Sequence, residues 1–272
     1  MNNTGIMKWE GVGTAFSSVT HGEQTLGTGT YMRREKFMLP NGTIEEIPIV
    51  SGNALRGSMR DHAAKTYWHF LGKPHLNVSV SHALFSGGTI SKATNAEPVS
   101  GIKLREIREA CPPISIFGAA GGGRIIDGIL SVGKMIPITQ ETKHLIPPKF
   151  HMEHIPSYWD ILQLEEYSRF SPKDEDSSLN MRYGVESFIA GTNFYTWLCL
   201  DFPSEQDISF FDYLVSSLKA GDIPVGGQKN KGFGKVLFNF EAPEYETSID
   251  WKDSLSKRFT IPEITEIIHR IK

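Results

Sequence analysis

Residues 51–60 read SGNALRGSMR and follow EEIPIV, a short run that turns apolar at its end. Serine, glycine and asparagine at the mouth of a helix have a definite chemistry. The first backbone N–H groups of a helix lack partners inside it, and the helix dipole places partial positive charge there. Ser51 and Asn53 can cap the helix or donate to a ligand, and Gly52 would let a ligand approach the backbone. A phosphate oxygen suits such a site. Arg56 and Arg60 stand four residues apart, one helical turn, and each guanidinium could fork onto a phosphate. The same residues also describe a capped helix with two solvated arginines.

A second constellation is GGQKNKGFGK, residues 226–235, with four glycines, three lysines and a phenylalanine. Gly227, Gln228, Lys229, Asn230 and Lys231 would present backbone donors and charge to a polyanion, with Lys235 close behind. The spacing GxxxxGK[ST] before a helix is absent, so this is not a Walker loop. A flexible surface hairpin loop is the alternative. A third stretch, IFGAAGGGR at 116–124, has four glycines in seven residues and ends in Arg124. It gains meaning only if it converges with the other two.

For acid–base chemistry the candidates are His21 and Glu23, in the Gly/Thr-rich stretch HGEQTLGTGT. Asp61, beside Arg60, reads as a helix-surface or ion-pairing residue. The two cysteines, Cys111 and Cys199, make no CxxC motif, and His151 and His154 lack flanking ligands, so neither metal nor cofactor is expected.

These residues need a scaffold. Residues 6–20 are rich in strand formers, and 21–30 read as a loop. YMRREKFML and GTIEEIPIV flank Pro40-Asn41-Gly42, a hairpin signal. Leu55, Met59, Ala63 and Phe70 keep a helical period from the cap at 51–53 to Leu71, and Gly72 ends it. Residues 73–113 read as mixed loop and 125–138 as a strand. Residues 139–182 carry four prolines and the charged run SPKDEDSS, and are too long for a tight connection, so they read as an insertion. Residues 185–202 read as one strong strand, 207–221 as a helix, and 236 onward as a last strand before a charged, partly helical tail. The strong elements run β, α, β, β, α, β, the split βαβ or ferredoxin-like pattern, which the RNA-recognition fold shares. The fold class is α+β. In such a fold the first and last strands are neighbours, so both basic glycine-rich sites can fall on one side.

The chain has 272 residues, a formal net charge of -3 and a pI near 6.3. That excludes a global basic field, so an anion site must be a local patch. No apolar run reaches the ~18 residues of a membrane span, no signal peptide is recognised, and a cytoplasmic protein is expected.

A strand, then IPIVSGNALRGSMR, then the Phe-Gly turn IFG, then GTNF within a strand, then GGQKNKGFGKV, resembles in order and spacing the RAMP superfamily of CRISPR-associated proteins. The resemblance covers roughly residues 8–240 and is best to the Cas-seven-type backbone subunit. THGEQTLG, RREKF and LPNGTIEEIPIVSGNALRG most resemble the type IV (Csf-type) form, with type I-D and type III backbone subunits as near alternatives. The resemblance implies one RAMP domain over 1–272, with a modified RNA-recognition palm. It further implies a fingers-like insertion at 73–113 and a thumb-like insertion at 139–182 that reaches a neighbouring copy.

The implied function is guide binding. Such a subunit polymerises head to tail along crRNA, a heterologous contact that gives an open helical filament. It holds the phosphate backbone, so that the bases stay free to pair with target nucleic acid. Its other partners would be further CRISPR effector subunits, not a membrane. Type III backbone subunits cut target RNA with an aspartate in the loop after the first strand; here that loop carries Glu23 and no aspartate. A non-catalytic subunit is therefore expected. Two alternatives stay open: a crRNA-processing or target-cleaving endoribonuclease of the same superfamily, with His21 or Glu23 in the chemistry, and a stand-alone module for single-stranded nucleic acid.

Overall fold

A computed structural model of the chain describes residues 5–88, 101–121, 124–169, 181–245 and 249–271. The chain opens with β1 (Ile6–Ala15), the hairpin β2 (Gly22–Leu26) and β3 (Gly29–Met32), and a second hairpin, β4 (Arg34–Met38) and β5 (Ile44–Pro48). Helix α1 (Gly52–Phe70) follows, then α2 (Val78–Phe85), α3 (Gly101–Ala110) and α4 (Pro112–Phe117). Four short strands come next: β6 (Ala119–Gly121), β7 (Arg124–Ile126), β8 (Leu130–Val132) and β9 (Ile136–Pro137). After three 3-10 turns come β10 (Leu162–Arg169), β11 (Met181–Phe188), β12 (Asn193–Asp201), α5 (Glu205–Ala220), β13 (Val236–Glu241), α6 (Trp251–Arg258) and α7 (Ile261–His269).

The main sheet runs β13-β1-β12-β8, with β9 also on β12, and every pairing is antiparallel. Alternation along β1 decides its faces: Met7, Trp9 and Ala15 are buried while Ile6 and Lys8 are exposed. The buried face joins α1 and α5 in one core, where Trp9 meets Phe211 edge-on at 4.8 Å. On the other face a smaller cluster of Ile138, Ile146 and Tyr195 packs with Phe150 and Trp197. The chain is thus α+β, with several antiparallel sheets and helices. Among the described residues no helix is long and apolar enough to cross a membrane.

Several elements depart from the sequence reading. Residues 22–32 are a hairpin rather than a loop. All of β2 is exposed, so it has no apolar alternation to reveal it, and pairing alone holds it. Residues 73–113 are largely helical where described: α2, α3 and the start of α4. The single strand expected at 125–138 is three short strands. The one expected at 185–202 breaks at Gly191 (φ +92°) into β11 and β12, which belong to different sheets. β10 and β11 join β3 and β2 in a four-stranded sheet, order β10-β11-β3-β2. Glu186 locks this union, receiving the Met32 N–H at 2.8 Å and pairing with Arg34. The insertion at 139–182 is thereby knitted to the N-terminal hairpin. Its charged run, 171–178, lies outside the described residues.

Candidate nucleic-acid interface

Helix α1 begins as its sequence suggests: Ser51 Oγ accepts the Ala54 N–H at 3.2 Å, and Asn53 stays exposed. Gly52 has a different role from the expected one. It is buried, and a methyl group built on it would overlap the carbonyl oxygens of Val132 and Gly133. It is glycine because the sheet touches the helix there, not because a ligand approaches.

The arginines also depart from the expected picture. Arg56 Nη2 donates to the Phe117 carbonyl at 2.8 Å, and Arg60 Nη2 donates to the same oxygen at 2.5 Å. Phe117 is the last residue of α4, so two guanidiniums cover the negative end of that helix. Both also lie over the Phe117 ring, at 5.9 and 5.7 Å from its centroid. Arg60 is only 8% exposed, so it is not solvated, and its Nη1 is buried with no partner among the described residues. Neither arginine has an ion pair among the described residues. Burial lowers the pKa of both; that of Arg60, with the charge of Arg56 beside it, falls to about 10, which still leaves it cationic at neutral pH. Among the described residues the hydrogen-bond acceptors of these two cations are backbone carbonyls, that of Phe117 and, for Arg56 Nε at 3.4 Å, that of Leu130, and an anion would relieve their repulsion.

The basic glycine-rich loop converges on the same helix. Lys229 Nζ donates to Ser58 Oγ at 2.9 Å; Ser58 is two residues from each arginine and so projects from a different side of α1, where the charges beside Lys229 are Asp61 and Lys65. The loop is held in place by Gly226 (φ +83°), whose Cα sits against the Thr20 backbone, and by the Gly227 N–H on the Thr20 carbonyl at 2.8 Å. Gln228 is left-handed (φ +53°), and Lys229, Asn230 and Lys231 form one exposed 3-10 turn. Lys235 is exposed on the approach to β13. The third constellation meets α1 through Phe117. Arg124 opens β7, but its side chain lies outside the described residues.

One group is absent from the sequence reading. Lys231 Nζ lies 4.5 and 4.6 Å from the ring centroids of Tyr167 and Tyr183 and donates to the Tyr183 hydroxyl at 3.1 Å. Burial, then the hydrogen bond to Glu165, pushes the Tyr167 hydroxyl up to about 12, so its ring stays neutral. The available signal was the placing of the two tyrosines on either side of the charged run, as on the arms of a hairpin.

His21 and Glu23 do not pair with each other. Glu23 faces Arg33 at 3.7 Å, and the His21 carbonyl accepts the Arg33 N–H at 2.8 Å. His21 is half-buried and its Nε2 has no partner among the described residues. Desolvation, then Arg33, lowers its pKa, against an opposing contribution from Glu23. The unfolded chain therefore takes up a proton first. Stability is expected to be full above the ordinary histidine value of 6.5 and to decline as pH falls through it toward the depressed folded value. Thermal midpoints measured across this window should fall less for His21→Gln than for wild type; parallel curves would refute the assignment. His151 Nε2 lies 2.9 Å from the Lys143 carbonyl, and among the described residues no three His, Cys, Asp or Glu gather as a metal site.

No protein-family model matches the chain, and no curated protein does. Among solved structures, a chain described as "Type IV-B CRISPR Complex" aligns with a TM-score of 0.66 at 27% identity, covering 92% of this chain and 99% of that one. Over nearly its whole length the protein is similar to a component of a CRISPR complex.

Proposed function

We propose that the protein is a crRNA-binding backbone subunit of a multisubunit CRISPR effector complex, without catalytic activity of its own. The observation that carries this is the contact of the basic glycine-rich loop with α1, through Lys229 and Ser58, on a helix whose Arg56 and Arg60 have no carboxylate partner among the described residues. These donors are of the phosphate type, which suits a guide held by its backbone. The near full-length likeness to a chain of a CRISPR complex supports the same reading.

In this reading the sheet β13-β1-β12-β8 with α1 and α5 is the ferredoxin-like palm, since the chain supplies its elements in the order β, α, β, β, α, β. Residues 73–113 form the fingers. Residues 139–182, with the β10–β11 hairpin, form the thumb that contacts the next copy in a head-to-tail filament. A RAMP protein of the Cas-seven type, acting in the cytoplasm with other effector subunits, fits these parts. Glu23, engaged with Arg33, is poorly placed to serve as a nuclease carboxylate.

Expression with a CRISPR array, followed by purification, nuclease treatment and sizing of the surviving RNA, tests this. The expected result is a ladder with a constant step of about six nucleotides, within the ~4–16 nucleotides typical of single-strand binding folds. Discrete unit-length products formed in EDTA would instead assign crRNA processing. No retained RNA would overturn the proposal.

A further inference from the structure

The Tyr167–Tyr183 pair stands where the β10–β11 hairpin meets the basic loop. Strand register places the two residues directly opposite each other. Their rings stack with centroids 5.4 Å apart and 20° between planes, within the range of favourable aromatic pairs. Both are only half-buried, and on their own face of the hairpin the half-buried Glu165 accepts the Tyr167 hydroxyl at 2.8 Å. Beside them Lys231 makes no ion pair among the described residues; its partners are two π systems and the Tyr183 hydroxyl. An ammonium has three donors; one goes to the Tyr183 hydroxyl, and a phosphate oxygen could replace a ring face as the partner of another.

Single-stranded nucleic acid is held by this combination, flat aromatic surface next to backbone charge. We infer that Tyr167 and Tyr183 form a stacking site for one unpaired nucleobase of a single-stranded RNA, with Lys231 holding the adjoining phosphate. The inference rests on the RNA-binding reading above and adds a base contact to it. Every base offers a π face, so such a site tolerates any sequence, as a variable guide requires. The loop sets the spacing: Lys229 rests on α1 and Lys231 on the tyrosines, so the strand would cross from helix to hairpin within one turn of the loop. A purely structural role, with Lys231 clamping the loop to the hairpin, is the competing account.

The full-length protein would be titrated, by fluorescence anisotropy, with a uridine-rich RNA strand and with an abasic strand of equal length. Wild type is expected to prefer the base-bearing strand about tenfold. Tyr167→Leu and Tyr183→Leu should each remove most of that preference, weakening the base-bearing strand far more than the abasic one. Tyr183→Phe, which keeps the ring and loses the hydroxyl that holds Lys231, should retain the preference for the base-bearing strand. Equal wild-type affinity for the two strands overturns the inference without any variant. Leucine variants that weaken both strands equally overturn it in favour of the clamp, and leucine variants without effect overturn it too. In each of these cases RNA binding itself stands. Absence of wild-type binding to either strand overturns both readings together.

Discussion

Replacing Arg56, Lys229 and Lys231 together with alanine is expected to weaken binding of single-stranded RNA about a hundredfold at ~0.1 M salt. Each phosphate neutralised on a single strand contributes about 0.7 to the slope of log affinity against log salt. Without these three cations the slope should therefore be shallower by about two. Affinity near ~1 M salt, where the electrostatic contribution has faded, should then differ little between variant and wild type. The weakening should be the same for unrelated sequences, because these groups meet phosphates and not base edges. The fold should survive, since Arg60 still donates to the Phe117 carbonyl and the two lysines are exposed. Measuring affinity across a salt series for two unrelated strands checks all three points. An unchanged slope would refute the assigned groove, and a sequence-dependent effect would point to base readout.

The second large effect concerns two glycines on one helix, with opposite signs. Gly52→Ala should destabilise the protein by about 3 kcal/mol, at the upper end of what overpacking usually costs. The added methyl would meet backbone oxygens of Val132 and Gly133, which cannot turn aside as a flexible side chain could. The corresponding fall in the thermal midpoint is roughly 6–12 °C for a chain of this size. Gly57→Ala, little more than one turn later, should stabilise by about 0.5–1 kcal/mol, because alanine is the better helix former. Nothing lies within 4 Å of its added methyl. Calorimetry on both variants tests the pair. Similar shifts for the two would mean that α1 is not seated against β8 as described.

Much of this protein is legible in its sequence, for local reasons. α1 could be placed because Ser51, the period Leu55–Met59–Ala63 and Gly72 act within a few residues of each other, and the helix runs Gly52–Phe70. α5 follows from Phe210, Leu214 and Leu218, and the β4–β5 hairpin from Asn41-Gly42. The succession of β1, α1, a strand pair, α5 and β13 is set by the same short-range signals. So are the glycine-rich composition and charge of the 226–235 loop.

What tertiary structure alone decided depends on partners far away in the chain. The β2–β3 hairpin, with β2 exposed along its length, becomes part of a sheet only because β11, more than 150 residues later, pairs with β3 at Gly29 and Thr30. No local pattern could report a bond to residues so distant in the chain. The glycine at 52 and the arginines at 56 and 60 have the composition of an anion site. Their duties were set by what the fold laid against them: sheet carbonyls at the first, the Phe117 carbonyl at the others. The meeting of Lys231 with Tyr167 and Tyr183 joins three strand and loop segments that share no local signal. Residue types announce which chemistry is available, because charge and hydrogen-bonding capacity belong to the side chain. Which of those groups remain free to use it is a matter of burial and pairing, and both are properties of the folded chain.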